Sequence, residues 1–271
     1  MVRFRSQNRF TILPPSRAAL PGIFRNIAVD NRRQHDLLAR MQRLRGRVYE
    51  ADGAVQPGEL TADGRHRLSV DERSWHVLSL DAAGNVVACL RYLEESNSTS
   101  FDSLWIRDVA LAQCPIQGRK FRHAVELEMR RARSGRIGFG EVGGWAVAED
   151  HRWTPESLQI VLATYALLEL LGSCSGVATA TFRHRSAIML QRIGLAVLRS
   201  DGEEIPPYHD PRYGCLMQVL QFDSRSPNPK YRDWILNLGA ELADGPVVCR
   251  ETALARVWRG FEAPALTPVV A

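Results

Sequence analysis

Cysteine is scarce and scattered in this chain. Cys89, Cys114, Cys174, Cys215 and Cys249 form no C-x-x-C pair, and so odd and dispersed a set makes neither a disulfide framework nor a redox motif. Three sit in apolar runs, where free cysteine behaves as a small hydrophobe, so a reducing, cytoplasmic compartment is expected. Long apolar runs are lacking too. The longest, residues 160–171, is broken by Thr164, Tyr165 and Glu169 and is too short to span a bilayer. Residues 1–24 carry arginines and prolines but not the apolar stretch of a secretory signal. The seven histidines show no H-x3-H spacing and no G-x-S-x-G occurs, so neither a metal site nor a serine-triad hydrolase is expected. Lysine is absent up to Arg67, where thirteen arginines stand against six carboxylates. That excess, within a net charge of +5, would either draw an acidic partner or form a solvated basic arm. No nucleic-acid-binding motif accompanies it, so nucleic acid is not an expected partner.

What is present is ordinary globular material: 271 residues, 45% hydrophobic and 24% charged, enough for one large domain with extensions. Leu37, Leu38, Met41, Leu44 and Val48 recur at helical spacing and predict a helix over residues 30–49. Residues 75–80 and 86–93 read as a hairpin around the turn at 81–85. A basic helix is predicted over 117–134 and a strand over 139–147. Thr154 and Pro155 then open a helix that ends at Gly172, followed by a strand over 177–182. A short helix over 186–193, strands over 195–198 and 215–222, and a helix over 230–243 complete the pattern. The expected division is a basic arm over 1–29, a main domain over 30–223 and a C-terminal extension over 224–271. A hairpin feeding a βαβ unit gives an α/β (α+β) domain with a mixed sheet.

Several residues on this scaffold carry chemistry. His151 and Arg152 stand just before the helix opened by Thr154, where unpaired N–H groups suit the phosphate of phosphopantetheine or coenzyme A; an ordinary strand-to-helix turn reads the same way. Glu141, in an otherwise apolar strand, is either solvent-facing or a general base with a raised pKa. Gly143 and Gly144 break the strand pattern, as at a bulge or a close backbone approach; a free N–H there would polarise a thioester carbonyl. Arg91, between Leu90 and Tyr92, needs an anion, supplied by Asp71, Glu141 or a ligand. His76 alternates with apolar neighbours in the manner of a satisfied core histidine.

Taken in order, these segments resemble a known family. Leu44-Arg45-Gly-Arg-Val48-Tyr49 is similar to the L-R-x-x-V-F signature of acyl-homoserine-lactone synthases. Asp71-Glu-Arg-Ser74-Trp-His76 resembles the D-x-x-S-x-H segment of their relatives, the N-acyl amino acid synthases. Val87-Ala-Cys-Leu-Arg91-Tyr-Leu93 is similar to the family's V-G-x-x-R-L-L strand, and Glu141-Val-Gly-Gly-Trp-Ala-Val147 to its E-x-S-R-x-A-V strand. The resemblance covers residues 30–223 and implies the GCN5-related N-acyltransferase fold. In that fold a central, mixed, mostly antiparallel sheet, flanked by helices, splays where the acyl thioester binds. It also implies transfer of a fatty acyl group from acyl carrier protein or acyl-CoA, as co-substrate, to the amine of an amino acid or related metabolite. No permanently bound cofactor is implied. By position, Glu141 would deprotonate the amine, directly or through a water, and Asp71 and Arg91 would form a charged network. Arg45, Tyr49, His76, Gly143, Gly144 and Trp145 would surround the acceptor, while Val147, His151, Arg152 and Thr154 would hold the donor's phosphopantetheine.

The chain departs from the family pattern in places. Gly143 and Gly144 stand where the lactone synthases carry serine and arginine, which weakens a lactone product. The Arg/Gln-x-x-Gly-x-Gly/Ala loop of coenzyme A users is absent from residues 150–157, which favours an acidic carrier protein drawn to the basic arm and to the helix over 117–134. Leu190 replaces the tyrosine that many acetyltransferases use as an acid. Two rival expectations stand beside the leading one: an acetyl-CoA-dependent acetyltransferase, and a non-catalytic acyl-thioester or carrier-protein binder on the same fold.

Overall fold

A computed structural model describes residues 8–152 and 154–253. Its strands are β1 (Arg9–Leu13), β2 (Asn26–Val29), β3 (Trp75–Leu80), β4 (Val86–Glu95), β5 (Gly138–Val147), β6 (Cys174–Thr181), β7 (Ala196–Val197), β8 (Arg199–Ser200), β9 (Glu203–Glu204), β10 (Tyr208–Asp210), β11 (Cys215–Asp223) and β12 (Pro246–Cys249). The helices are α1 (Asn31–Ala51), α2 (Gly118–Ser134), α3 (Glu156–Leu170), α4 (Ser186–Ile193) and α5 (Arg232–Asp244). Ten strands make one sheet in the order β10-β11-β6-β5-β4-β3-β1-β12-β2, with β7 also on β11. The β5/β6, β1/β12 and β12/β2 pairs are parallel and the rest antiparallel, so the sheet is mixed and mostly antiparallel, as expected.

Each helix chooses its face by its apolar pattern. Asp30 caps α1 by accepting from the Arg33 N–H at 2.8 Å, and Leu37, Leu38, Met41 and Leu44 lay one stripe on Leu78, Cys89 and Ala146. α2 covers Phe139, Val177 and Val219 on the β5–β6–β11 part of the sheet. α3 is apolar on nearly every side because it is enclosed, between α5 and a sheet surface that includes Val77 and Leu90. Cys89 and Leu90 are successive residues on β4, so α1 and α3 lie on opposite faces.

The segment read as a basic arm is different in the structure. Phe10, Ile12 and Leu13 are buried, and β1 pairs with β3 from Arg9↔Leu80 to Leu13↔His76. Past the helix expected in the tail, β12 inserts between β1 and β2. Both strands are short and pair only with segments distant in sequence, so local periodicity does not mark them.

The feature that positions a site lies at β5/β6. Their pairing runs from Gly138↔Cys174 to Val142↔Ala178 and stops there. Beyond that point β5 continues on β4 to Val147, and β6 continues on β11 to Thr181. Below the opening the strands cross tightly: a Cβ on Gly176 would fall 1.9 Å from the Gly140 carbonyl oxygen. Gly176→Ala is therefore expected to lower stability by about 1–3 kcal/mol through overpacking, read as a lower urea midpoint at unchanged m-value.

Candidate functional site

The opening is shaped by a bulge in β5. Arg91 pairs with Gly143 and Cys89 with Ala146, so Leu90 alone faces Gly144 and Trp145. Gly144 takes φ +65°, a left-handed conformation that a side chain would strain. The Tyr49 hydroxyl donates to the Trp145 carbonyl at 3.3 Å and ties the bulge to α1. The bulge expected from the paired glycines is thus present.

Beside it lies a cavity of about 530 Å3. Its walls are β5 from Val142 to Val147 and β6 from Ala178 to Thr181. Tyr49 of α1 and Val161 and Leu168 of α3 all line it, and these helices cover opposite faces, so the cavity runs through the parted sheet. Leu190, where the acetyltransferase tyrosine would stand, is part of its apolar lining. At the mouth are Arg152, Arg183, His184, Arg185 and Arg192, with Asp52 the one acid among the described lining residues. Asp52 holds Arg152 and His184, each at 3.2 Å, and its carbonyl accepts from Arg183. Thr154 borders the cavity and accepts from the Glu156 N–H at 3.3 Å in the turn that opens α3. His151 is outside the lining and pairs with Asp150 at 2.9 Å.

On the α1 face, behind the bulge, is a buried charged cluster. Arg45 projects from the apolar stripe of α1 and is fully buried. Its Nη1 and Nη2 donate to the two Asp71 carboxylate oxygens at 2.9 and 2.7 Å. Gln42, one turn earlier, donates to Asp71 at 2.9 Å, and the Leu68 N–H does so at 3.0 Å. Burial alone would push the Asp71 carboxyl up, but the Arg45 guanidinium and these donors hold it at about 2. His76 Nε2 lies 2.8 Å from the Asp71 carbonyl, and burial lowers the ring to about 4, so it is neutral at pH 7. This cluster ties α1 to the loop before β3.

Arg91 and Glu141 stand on the same face but outside that network. Asp71 pairs with Arg45, not with Arg91. Arg91 is 4% exposed, has no carboxylate within ion-pair distance among the described residues, and leaves Nε and Nη1 without a partner. Its guanidinium lies 6.0 Å from the Trp105 ring centre. Glu141 is buried too, so it does not face solvent. Burial lifts its carboxyl to about 7, against the pull of the Trp105 N–H, donating at 2.7 Å, and of the Arg91 charge.

Tyr49, Gly143, Gly144, Trp145, Val147, Arg152 and Thr154 are thus gathered around the cavity. Arg45, Asp71 and His76 form the cluster behind it, and His151 stands apart. Sequence reasoning missed Gln42, Trp105 and Tyr213, whose ring lies edge-on to Tyr49 at 6.4 Å. Gln42 had a signal, being one helical turn before Arg45 on the same stripe. Trp105 and Tyr213 lie in irregular segments and had none.

No protein-family model matches this chain, and no curated protein does. Solved structures do. BjaI, a CoA-dependent acyl-homoserine lactone synthase solved with SAM and isopentyl-CoA, is 15% identical over 93% of this chain and 99% of that one, with a TM-score of 0.53. TofI, solved in a ternary complex with an inhibitor and MTA, is 16% identical over 86% and 99%, with a TM-score of 0.51. MesI, another CoA-dependent acyl-homoserine lactone synthase, is 14% identical over 89% and 98%, with a TM-score of 0.50. The fold is therefore that of the acyl-homoserine lactone synthases. The described residues include no helix long and apolar enough to cross a membrane and no group of three or more His, Cys, Asp or Glu fit to hold a metal ion.

The Arg45–Asp71 pair has a checkable consequence. Asp71→Asn leaves a buried guanidinium uncompensated and is expected to lower stability by about 3–5 kcal/mol in urea denaturation. The wild-type pair titrates with a defined sign. Asp71 is held at about 2 when folded, below about 3.9 when unfolded. Its stabilisation is thus present above the unfolded value and fades as pH falls toward 2.

Proposed function

We propose that the chain is an N-acyltransferase that moves a fatty acyl group from a thioester, carried by coenzyme A or acyl carrier protein, to the amine of an amino acid or related metabolite. The carrying observation is one juxtaposition. A cavity opens through the sheet between β5 and β6, and a buried carboxyl poised near neutrality, Glu141, sits on β5 three residues before the bulge at Gly144.

The parts divide the reaction between them. The arginines at the mouth suit the anionic head of the donor, either the phosphates of coenzyme A or the acidic surface of a carrier protein. The lining below them, with Val161, Leu168, Met189 and Leu190, suits an acyl chain. Most α-amino groups are protonated at neutral pH and are then not nucleophilic. Glu141 takes the ammonium proton, directly or through one water, and the freed nitrogen attacks the thioester carbon. A backbone N–H at the Gly143–Gly144 bulge polarises the carbonyl. The tetrahedral intermediate collapses with rupture of the C–S bond, releasing amide and thiolate. The second amine proton leaves with the thiolate or to solvent. Leu190 cannot donate a proton, and a thiolate leaves without one.

Product mass spectrometry is the direct test, with long-chain acyl-CoA or acyl carrier protein offered against pooled amino acids and S-adenosylmethionine. A new N-acyl product supports the reading and names chain and acceptor; donor binding without product leaves a binding protein. Glu141→Gln is expected to cut kcat by about 10²–10⁴-fold. Only ionised Glu141 accepts a proton, so wild-type kcat rises with pH through about 7. That limb disappears in the variant, and an unchanged limb would remove Glu141 from its role.

A further inference from the structure

We infer that Asp52 is a latch on the cavity mouth: its carboxylate holds cations that the donor's phosphate ester needs, and the donor binds by displacing it. The inference rests on the acyltransferase reading of the site and adds to it a contact that closes the mouth against its own ligand.

The observation is a bridge across the open end of the parted sheet. Asp52 ends α1, and its backbone N–H donates to the Val48 carbonyl at 3.1 Å, so the helix fixes its position. α1 covers one face of the sheet, whereas α3 and α4 pack on the other. Arg152 comes from the turn before α3, and Arg183 and His184 from the turn between β6 and α4. The Asp52 carboxylate lies 3.2 Å from Arg152 Nη2 and 3.2 Å from His184 Nε2, and its carbonyl accepts from Arg183. All four residues line the cavity. One short side chain at the negative end of a helix thus ties both walls of the mouth together.

Strain and exposure make this contact one that can exchange. His184 and Arg185 take φ +55° and +59°, left-handed conformations that side chains disfavour. Such a turn persists where its surroundings hold it, and Asp52 grips Arg183 and His184 within it. The Arg45 and Asp71 side chains are 0% and 1% exposed, and their pair is permanent. The Arg152 and Asp52 side chains are 24% and 22% exposed, so water screens their pair and an arriving anion can replace it. Arg185 and Arg192 are exposed and take no part in these pairs, so they meet that anion first. Arg152 and His184 join it only when the carboxylate gives them up. A phosphate ester offers several acceptor oxygens to guanidinium forks, and Asp52 left in place would set a like charge beside it.

The test reads binding and so does not depend on turnover. Coenzyme A, holo acyl carrier protein and pantetheine, which lacks the phosphate, are titrated calorimetrically into the full chain and into Asp52→Asn. The variant is expected to bind coenzyme A or the holo carrier about fivefold or more tightly than wild type, and pantetheine no more tightly. The probe that shows the gain names the source of the phosphate. Asp52→Ser is measured alongside, so that the comparison survives if the amide disturbs the end of α1. An Asp52 that serves only to hold the arginines in place gives the opposite sign, with weaker binding in both variants. Weaker or unchanged affinity for both phosphate probes, an equal gain for pantetheine, or binding of none of the three overturns the latch. If mass spectrometry gave an N-acyl product while the variants bound the phosphate probes no better, the acyltransferase reading would stand and the latch would fall. A gain in binding without product would leave the latch on a binding protein.

Discussion

The early end of the β5/β6 pairing is the constraint on which the rest of this molecule depends. Two parallel strands that part after Val142 and Ala178 give up hydrogen bonds on their inner edges, and each must be held from outside. β4 holds β5 along nearly its full length, and β11 does the same for β6. The enclosed helix α3 links the two strands and supports the sheet behind them. Gly140 and Gly176 let the strands close tightly just below the gap, so the opening has a sharp vertex. The cavity is the consequence, and so is the placing of the β5 bulge at its edge.

Building the opening on β5 also decides where charge is found. β5 alternates between faces, and the α1 face receives Glu141 and Gly143 together with Arg91 from β4. On that face α1 is not a purely apolar lid, because its buried stripe contains Gln42 and Arg45. Asp71 accepts from both, and the loop before β3 is thereby pinned to the helix. Glu141 on the same face is buried, and that burial lifts its carboxyl toward neutrality. A structural ion pair and a candidate base thus share one environment with opposite results. Asp71 has a guanidinium on both oxygens, whereas Glu141 has a backbone amide and a more distant charge.

Much of this was legible in the sequence, for physical reasons that differ by residue. The stripe Leu37, Leu38, Met41 and Leu44 and the hairpin around residues 81–85 follow from local periodicity and turn chemistry, and both appear in the structure. The glycine pair was legible as a bulge because mid-strand glycines have few other uses. Strands β1 and β12 were not legible, since four or five residues flanked by prolines, glycines or charge gain their meaning from partners far along the chain. The partner of Asp71 was only half legible. Arg91's need for an anion was visible, with Asp71 one candidate, but giving Asp71 to Arg45 required knowing that α1 turns Arg45 inward. Tyr213 and Trp105 sit in segments whose conformation only the assembled fold dictates.

All but two of the 35 basic residues are arginine, and the site uses that side chain in three environments. Arg45 is buried and ion-paired, and its two Nη groups match both carboxylate oxygens. The mouth arginines are half-buried or exposed, with Arg152 and Arg183 held by Asp52. Arg91 is buried and unpaired. Lysine would serve the mouth nearly as well as a point charge, but not the other two places. A buried ammonium without a partner sheds its proton, because desolvation moves its pKa far more readily than that of a guanidinium. A permanently charged group inside this sheet therefore has to be arginine. Its persistence beside Glu141 keeps some positive potential on that carboxyl, which would otherwise be lifted further by burial.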